Sequence, residues 1–210
     1  MTRLIVTPER CRPEDLAPAV EWLKSGRIVA FPTDTVYGLA VDPTSAAAVE
    51  QLFDLKGRDP ISAVPLVAAS PAQVEASCGR LYAANAKLSA AFWPGPLSLI
   101  VDAPSHIAAA VHGGLNSIAI RVPAATAARA LCEAWGAPLT ATSANRSGEA
   151  PARSASDLRD LADDTRVLVV DAGPAPGGPP STLVDARGDT PVLVRAGAVP
   201  WERVLKLLHA

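Results

Sequence analysis

The chain has 210 residues, 49% of them hydrophobic and 19% charged, a composition that allows one substantial core without help from metals or disulfides. Its three cysteines are widely spaced and form no Cys-x-x-Cys pair, which argues against a disulfide framework or a zinc site. The formal net charge of −2 excludes a protein that coats nucleic acid by charge alone. No apolar run has the length of a signal peptide or a bilayer span, so we expect a cytoplasmic protein without membrane contact.

Helices and strands are predicted to alternate through the first half of the chain. The predicted helices are residues 13–24, residues 44–56 and a helix that begins at residue 70, followed by a further helical stretch to about residue 93. The predicted strands are residues 27–31, 38–41, 64–68 and 97–101. Thr44 is the expected N-cap of the second helix, and Gly57 supplies its C-terminal residue. Lys56 therefore lies at a helix exit.

The second half continues the same alternation. Its predicted strands are residues 117–121, 138–141, 166–170, 182–185 and 191–195, and its predicted helices are residues 124–135, a segment capped by Ser154 and a last helix from Pro200. Two polar loops remain, residues 142–148 and the Gly- and Pro-rich residues 173–180. The pattern predicts a single α/β domain with its core at about residues 13–200, in which helices flank a mixed sheet and polar loops at strand ends form the site.

The common catalytic and nucleotide-binding motifs are absent. The sequence contains no Walker A motif, no Gly-x-Gly-x-x-Gly after the first strand and no Gly-x-Ser-x-Gly. His106, His112 and His209 have no metal-ligand spacing, and no role is predicted for them. What remains is a set of cationic and hydroxyl residues beside strand ends, of types that suit phosphate: Thr33, Thr35, Lys56, Arg58, Ser117, Arg121, Ser143, Asn145, Ser181 and Arg195. Each alone is more often a solvated charge or a turn residue, so only the collection indicates an anion and nucleotide site.

Whole phrases of the sequence resemble the YrdC/Sua5 family, in that family's order. They are Phe-Pro-Thr-Asp-Thr-Val-Tyr-Gly-Leu at 31–39, Lys-Gly-Arg at 56, Trp-Pro-Gly-Pro-Leu at 93, Ile-Arg-Val-Pro at 120, Thr-Ser-Ala-Asn-Arg-Ser-Gly at 142, Ser-Thr-Leu-Val-Asp at 181 and Val-Arg-Ala-Gly at 194. The resemblance covers roughly residues 20–200. It implies a YrdC-like twisted mixed sheet flanked by helices, in the short single-domain form.

The resemblance also implies an activity, that of a threonylcarbamoyl-AMP synthase. Such an enzyme is expected to convert L-threonine, bicarbonate and ATP, with Mg²⁺, to threonylcarbamoyl-AMP and pyrophosphate. The product supplies threonylcarbamoyladenosine in tRNAs that read codons starting with A. A separate tRNA-modifying transferase complex is the expected downstream partner, and any RNA contact of this chain would be weak and local.

Site residues follow from the matched phrases. The resemblance implies that Thr35, Ser181 and Ala141 hold threonine, and that Lys56 and Arg58 are catalytic and face the threonine carboxylate and the phosphates. The implied ATP-binding residues are Lys56, Arg58, Ser117, Arg121, Ser143, Asn145, Pro151 and Arg195. Ala141 and Pro151 would contribute backbone or wall contacts. No protein metal ligand is implied, and substitution of Lys56 or Arg58 by Ala is expected to reduce turnover far more than folding stability.

One departure from the family pattern and two alternatives accompany this interpretation. Residues 59–64 read Asp-Pro-Ile-Ser-Ala-Val, where many relatives have a shorter spacer with a polar His or Asn, so one threonine contact is expected to be missing. The first alternative is a non-catalytic RNA-binding or ribosome-associated paralogue of the same fold. The second is a protein that handles carbamoyl phosphate. Dependence on threonine separates the three.

Overall fold

The computed structural model describes residues 2–57 and 62–209. Their strands are β1 (Thr2–Ile5), β2 (Ile28–Pro32), β3 (Tyr37–Ala40), β4 (Leu66–Val67), β5 (Leu97–Asp102), β6 (Ser117–Arg121), β7 (Leu139–Thr140), β8 (Thr142–Ser143), β9 (Val167–Asp171), β10 (Thr182–Asp185) and β11 (Val192–Arg195). Their α-helices are α1 (Ala17–Lys24), α2 (Ala46–Lys56), α3 (Pro71–Cys78), α4 (Ala83–Phe92), α5 (Ala109–His112), α6 (Thr126–Trp135), α7 (Asp160–Asp163) and α8 (Trp201–Leu208). The α/β class is confirmed.

Within the described residues, the strands form two mixed sheets. The first has the order β1-β9-β2-β3-β8, in which β1, β9 and β2 are parallel and β3 and β8 continue antiparallel. The second has the order β11-β10-β5-β6-β4-β7, with parallel pairing of β10 with β5 and of β4 with β6. Strands β2 and β9 are buried at every residue, which explains the apolar sequence of β2 and the apolar run of β9 before Asp171.

The apolar core lies on both faces of the first sheet. Ile28 and Ala30 of β2 belong to a cluster shared with the second sheet, whereas Val29 and Phe31 belong to a cluster with α1 and α6. This division follows from the two-residue period of a strand, which sends neighbouring side chains to opposite faces. Among the described helices, none combines the length and apolarity that a bilayer crossing requires.

The two sheets meet where β7 passes into β8 through Ala141. Ala141 donates its N–H to the Pro65 carbonyl at 2.8 Å, and the Thr140 side-chain oxygen accepts the N–H of Val41 at 2.8 Å. The polar segment predicted as a loop from residue 142 therefore begins as a strand. This seam brings the edges of both sheets to one place.

The ends of α2 show one confirmed and one corrected prediction. Gly57 has a left-handed φ of 59° and ends the helix, as its position indicated. The N-cap is Ser45 instead of Thr44, because the Ser45 hydroxyl accepts the N–H of Ala48 at 3.3 Å. The Thr44 hydroxyl is engaged elsewhere and donates to Asp42 at 2.8 Å.

Other boundaries differ from the predictions for local reasons. Strand β1 was not predicted, because it is short, lies at a sheet edge and is mostly exposed. Residues Pro13–Leu16 form a 3-10 turn ahead of α1. Ser154 begins a second 3-10 turn, Ala155–Leu158, which leads into the four-residue α7.

Candidate active site

A cavity of about 600 Å³ opens on one face of the second sheet. Because strand side chains alternate between faces, Ser98 and Ile100 of β5 share this face with Ala119 and Arg121 of β6. Further lining comes from the turn between β2 and β3, the seam between the sheets and the loop before β10, namely Thr35, Ala141, Thr142, Ser143, Pro151, Gly178, Pro180 and Ser181. The cavity therefore joins segments that are far apart in the chain.

Polarity changes along the floor of this cavity. The register of β5 and β6 pairs Ile100 with Ala119, which makes one apolar row. Ser98 and Arg121 form the polar row on one side of it, and Ser117 lies on the other side. An apolar row between polar rows suits a flat ligand that carries charged or hydroxyl groups at its ends.

A β-bulge in β11 turns two consecutive residues toward the cavity. Leu183 pairs with Arg195 while Val184 pairs with Leu193, so Val194 is an extra residue in the ladder. Val194 and Arg195 both line the cavity, although regular alternation would send them to opposite faces. The bulge thus places an apolar side chain beside a guanidinium.

Arg121 is held by a buried ion pair at the polar end of the cavity. Its Nη1 donates to Oδ1 of Asp34 at 2.5 Å, and its Nη2 lies 3.3 Å from the Thr33 hydroxyl and 3.5 Å from the Thr35 hydroxyl. The Arg121 and Asp34 side chains are 10% and 11% exposed. One guanidinium therefore fastens the turn between β2 and β3 to β6.

Ser181, Ser98 and Arg195 form a second polar group. Arg195 donates from Nε and Nη2 to the Ser181 carbonyl at 3.2 and 2.9 Å, and from Nη2 to the Ser181 hydroxyl at 3.0 Å. The Ser98 hydroxyl lies 2.8 Å from that of Ser181. Burial, and after it the positive charge of Arg121, lower the pKa of Arg195. A bound anion near both guanidiniums would relieve this repulsion.

Lys56 joins the end of α2 to the Thr-Ser-Ala-Asn segment. It is buried, and its Nζ donates to the carbonyls of Ser143 and, at 2.7 Å, Asn145. In return, the Ser147 N–H donates to the Lys56 carbonyl at 2.8 Å, which satisfies an acceptor at the helix end. The Asn145 amide donates onward to the Glu149 carbonyl at 2.7 Å. These contacts fix the backbone that carries Ser143 into the cavity.

Most of the predicted site residues come together. Eight of them line the cavity, namely Thr35, Ser117, Arg121, Ala141, Ser143, Pro151, Ser181 and Arg195. Among the described residues, Lys56 and Asn145 are not in the lining and lie at the base of the Ser143 segment. Arg58 lies outside the described residues, as do residues 59–61 of the altered spacer. The division of these residues among threonine, ATP and catalysis stays a prediction.

Several residues of the cavity region were missed from the sequence, among them Asp34, Ser98 and Val194. Asp34 lies between Thr33 and Thr35, which were both candidate site residues, and only its contact with Arg121 indicates a role. Ser98 could have been found from its two-residue spacing to Ile100 on a predicted strand. Val194 had no signal, because nothing in the sequence indicates the bulge.

Gly197 lets the chain pass close behind Ser181. A Cβ at this position would lie 2.3 Å from the Pro180 carbonyl oxygen and 2.5 Å from the Ser181 carbonyl carbon. Overpacking costs about 1–3 kcal/mol, so we expect Gly197→Ala to lower the Tm and to displace Ser181. Thermal unfolding checks this, with Gly188→Ala as the control because nothing lies within 4 Å of its Cβ. An unchanged Tm in Gly197→Ala would contradict the close approach.

Known proteins resemble this chain over most of its length. A family model for Sua5, YciO and YrdC proteins, described as "Telomere recombination", matches residues 21–197. The threonylcarbamoyl-AMP synthase of Chromohalobacter salexigens is 38% identical over 176 residues, which are 83% of this chain and 95% of that protein. The threonylcarbamoyl-AMP synthase of Pyrococcus abyssi is 33% identical over 208 residues, which are 99% of this chain and 61% of that protein.

A solved structure has a similar fold. The crystal structure of Pyrococcus abyssi Sua5 complexed with L-threonine matches with a TM-score of 0.89 at 32% identity, and the match covers 99% of this chain and 61% of that chain. This chain therefore spans about three fifths of the length of the Pyrococcus abyssi protein and nearly all of the Chromohalobacter salexigens protein.

Proposed function

This chain belongs to the Sua5/YciO/YrdC family, and from that premise we propose that it is a threonylcarbamoyl-AMP synthase. L-Threonine, bicarbonate and ATP are the proposed substrates, and threonylcarbamoyl-AMP and pyrophosphate are the products. The observation that carries the proposal is one cavity in which a buried arginine (Arg121), an exposed arginine (Arg195), several hydroxyls and an apolar floor meet. The L-threonine complex of the Pyrococcus abyssi relative supports the choice of amino acid.

The polar end of the cavity is the proposed threonine site. Thr35 and Ser181 provide hydroxyl groups there, and Ala141 provides backbone or wall contacts. Arg121 touches the Thr35 side of this end and Arg195 touches Ser181. We propose that the phosphates of ATP also approach these guanidiniums, because guanidiniums form charge-assisted hydrogen bonds with oxyanions.

The apolar row is the proposed adenine site. Ile100 and Ala119 offer a flat surface beside the guanidiniums, with Ser117 at its far side for a directed hydrogen bond. Ser143 and Pro151 extend the lining from the seam between the sheets. Such a layout brings the two substrates into contact at the polar end.

The proposed reaction needs no protein nucleophile. The threonine amino group and bicarbonate form a carbamate with loss of water. A carbamate oxygen then forms a bond to the α-phosphorus while the bond to the β-phosphate oxygen breaks, and pyrophosphate carries away the electron pair. The protein contributes by holding the reactants together and by offsetting charge on the leaving group. Arg58 and Lys56 are the proposed catalytic cations, the latter also as the support of Ser143.

Mg²⁺ is proposed to arrive with ATP. In residues 2–57 and 62–209, no three or more His, Cys, Asp and Glu side chains are grouped to hold a metal ion, so phosphate oxygens and water are its proposed ligands. No step is assigned to a contact between the protein and the metal.

The product is proposed to pass to a separate tRNA-modifying transferase complex. The unpaired cysteines Cys11, Cys78 and Cys132 support the predicted reducing cytoplasm.

Release of pyrophosphate by the purified protein tests the proposal. With ATP, Mg²⁺ and bicarbonate, we expect release to depend on L-threonine and to remain near background with L-valine, which has the same shape but no hydroxyl. Absence of threonine-dependent release would contradict the synthase assignment. Retention of RNA without such release would favour the non-catalytic RNA-binding alternative.

A further inference from the structure

Ser98 is buried in the cavity wall beside the threonine end of the proposed site. It is 3% exposed, and the parallel register of β5 and β10 places it next to Leu183, two residues from Ser181. Its hydroxyl lies 2.8 Å from the Ser181 hydroxyl. Within the described part of the chain, Ser181 is the one hydrogen-bond partner of this side chain.

The donors and acceptors of this pair can be assigned. A serine hydroxyl donates one hydrogen bond and accepts two, whereas a guanidinium can only donate. The Ser181 hydroxyl therefore accepts from Nη2 of Arg195 at 3.0 Å. If Ser98 also donates to Ser181, both acceptor positions of Ser181 are filled and its proton is directed to the cavity.

The reverse order is less favourable. In either order one proton has no acceptor among the described residues, that of Ser181 in the first order and that of Ser98 in the reverse, and Ser98 is the more buried of the two, at 3% exposed against 7%. A buried hydroxyl proton without an acceptor is destabilising. The geometry therefore favours a chain of donation from Ser98 to Ser181 to the ligand.

We propose that Ser98 is a positioning residue that fixes the Ser181 hydroxyl as a hydrogen-bond donor to an anionic oxygen of the threonine substrate. The inference rests on the proposed function, since it concerns the threonine end of that site. Arg195 supplies a second donor at the same point, so a carboxylate or carbamate oxygen suits this position. An ammonium group, which also donates, does not.

Binding of L-threonine to Ser98 variants tests this assignment. Calorimetric titration in bicarbonate buffer is expected to give a Kd that rises roughly 3- to 10-fold in Ser98→Ala, the range for one neutral hydrogen bond. Ser98→Thr keeps the hydroxyl and is expected to keep the wild-type Kd. Ser89→Ala is the matched control, since Ser89 is 5% exposed and its hydroxyl donates to the Ala86 carbonyl within α4 at 2.9 Å.

Kinetics add a readout that a general loss of structure would not give. The KM for threonine is expected to rise in Ser98→Ala by the same factor as the Kd, while the KM for ATP stays at its wild-type value. A wild-type Kd in Ser98→Ala, or a Ser98→Thr variant as weak as Ser98→Ala, would overturn the proposal. If Ser98 affects threonine binding but the wild type releases no pyrophosphate, the synthase assignment fails and the role of Ser98 stands. A wild type that binds no threonine overturns both.

Discussion

Replacing Lys56 with Met is expected to slow threonine-dependent pyrophosphate release by roughly a hundredfold and to lower the free energy of unfolding by about 2–4 kcal/mol. Met keeps the apolar stem but removes the ammonium that donates to the Ser143 and Asn145 carbonyls. The segment then loses the contacts that fix its backbone. Because Ser143 lines the cavity, a shift there moves the substrates out of their reacting geometry.

Urea unfolding and the pyrophosphate assay measure the two effects separately. Lys87→Met is the control, because Lys87 is an exposed lysine of α4 and both quantities should stay near wild type. The sequence alone predicted that substitution of Lys56 would reduce turnover far more than folding stability. The buried contacts of Lys56 make a loss of stability part of the expected result. Wild-type turnover in Lys56→Met would show that the segment holds without the ammonium. Lost turnover at wild-type stability would indicate a direct contact with substrate.

Replacing Arg121 with Met is expected to lower the free energy of unfolding by about 3–5 kcal/mol and to abolish turnover. The partner carboxylate of Asp34 is 11% exposed, and without Arg121 its charge has no counterion nearby. Water hydrates a carboxylate of such low exposure poorly, so the unpaired charge destabilises the folded state. The cavity also loses one of its two guanidiniums, which removes charge neutralisation for the phosphates.

The double variant Asp34→Asn with Arg121→Met separates folding from function. It contains no unpaired buried charge, so it is expected to regain most of the lost stability, as urea unfolding would measure. Turnover is expected to stay absent because the guanidinium is still missing. A double variant no more stable than Arg121→Met would contradict the ion-pair explanation, and recovered turnover would remove Arg121 from the site.

Sequence reasoning worked where a local signal is sufficient. The apolar runs of β2 and β9 indicated buried strands, and Gly57 marked a helix end at which the chain adopts a left-handed φ. The matched phrases also identified eight residues that line one cavity. These successes depend on chain geometry within a few residues or on whole motifs.

The remaining features depend on contacts between distant segments. The hydrogen bond of Lys56 to the Ser143 carbonyl joins positions 87 residues apart, and neither residue type indicates it. The division of the strands into two sheets depends on pairing partners, which a periodic pattern does not specify. The bulge at Val194 depends on the register between β10 and β11. The sequence therefore predicted which residues line the cavity better than it predicted the contacts that hold them in place.

The burial of Arg121 affects the distance over which the cavity attracts an anion. Mobile ions have little access to the Arg121 guanidinium, so its attraction for an anion is screened less than that of an exposed charge such as Arg195. The chain as a whole carries a formal charge of −2, and an anion approaching from bulk solution meets no net attraction that would accelerate its encounter. We therefore expect the contribution of Arg121 to anion affinity to depend little on ionic strength, and the association rate to gain nothing from long-range steering.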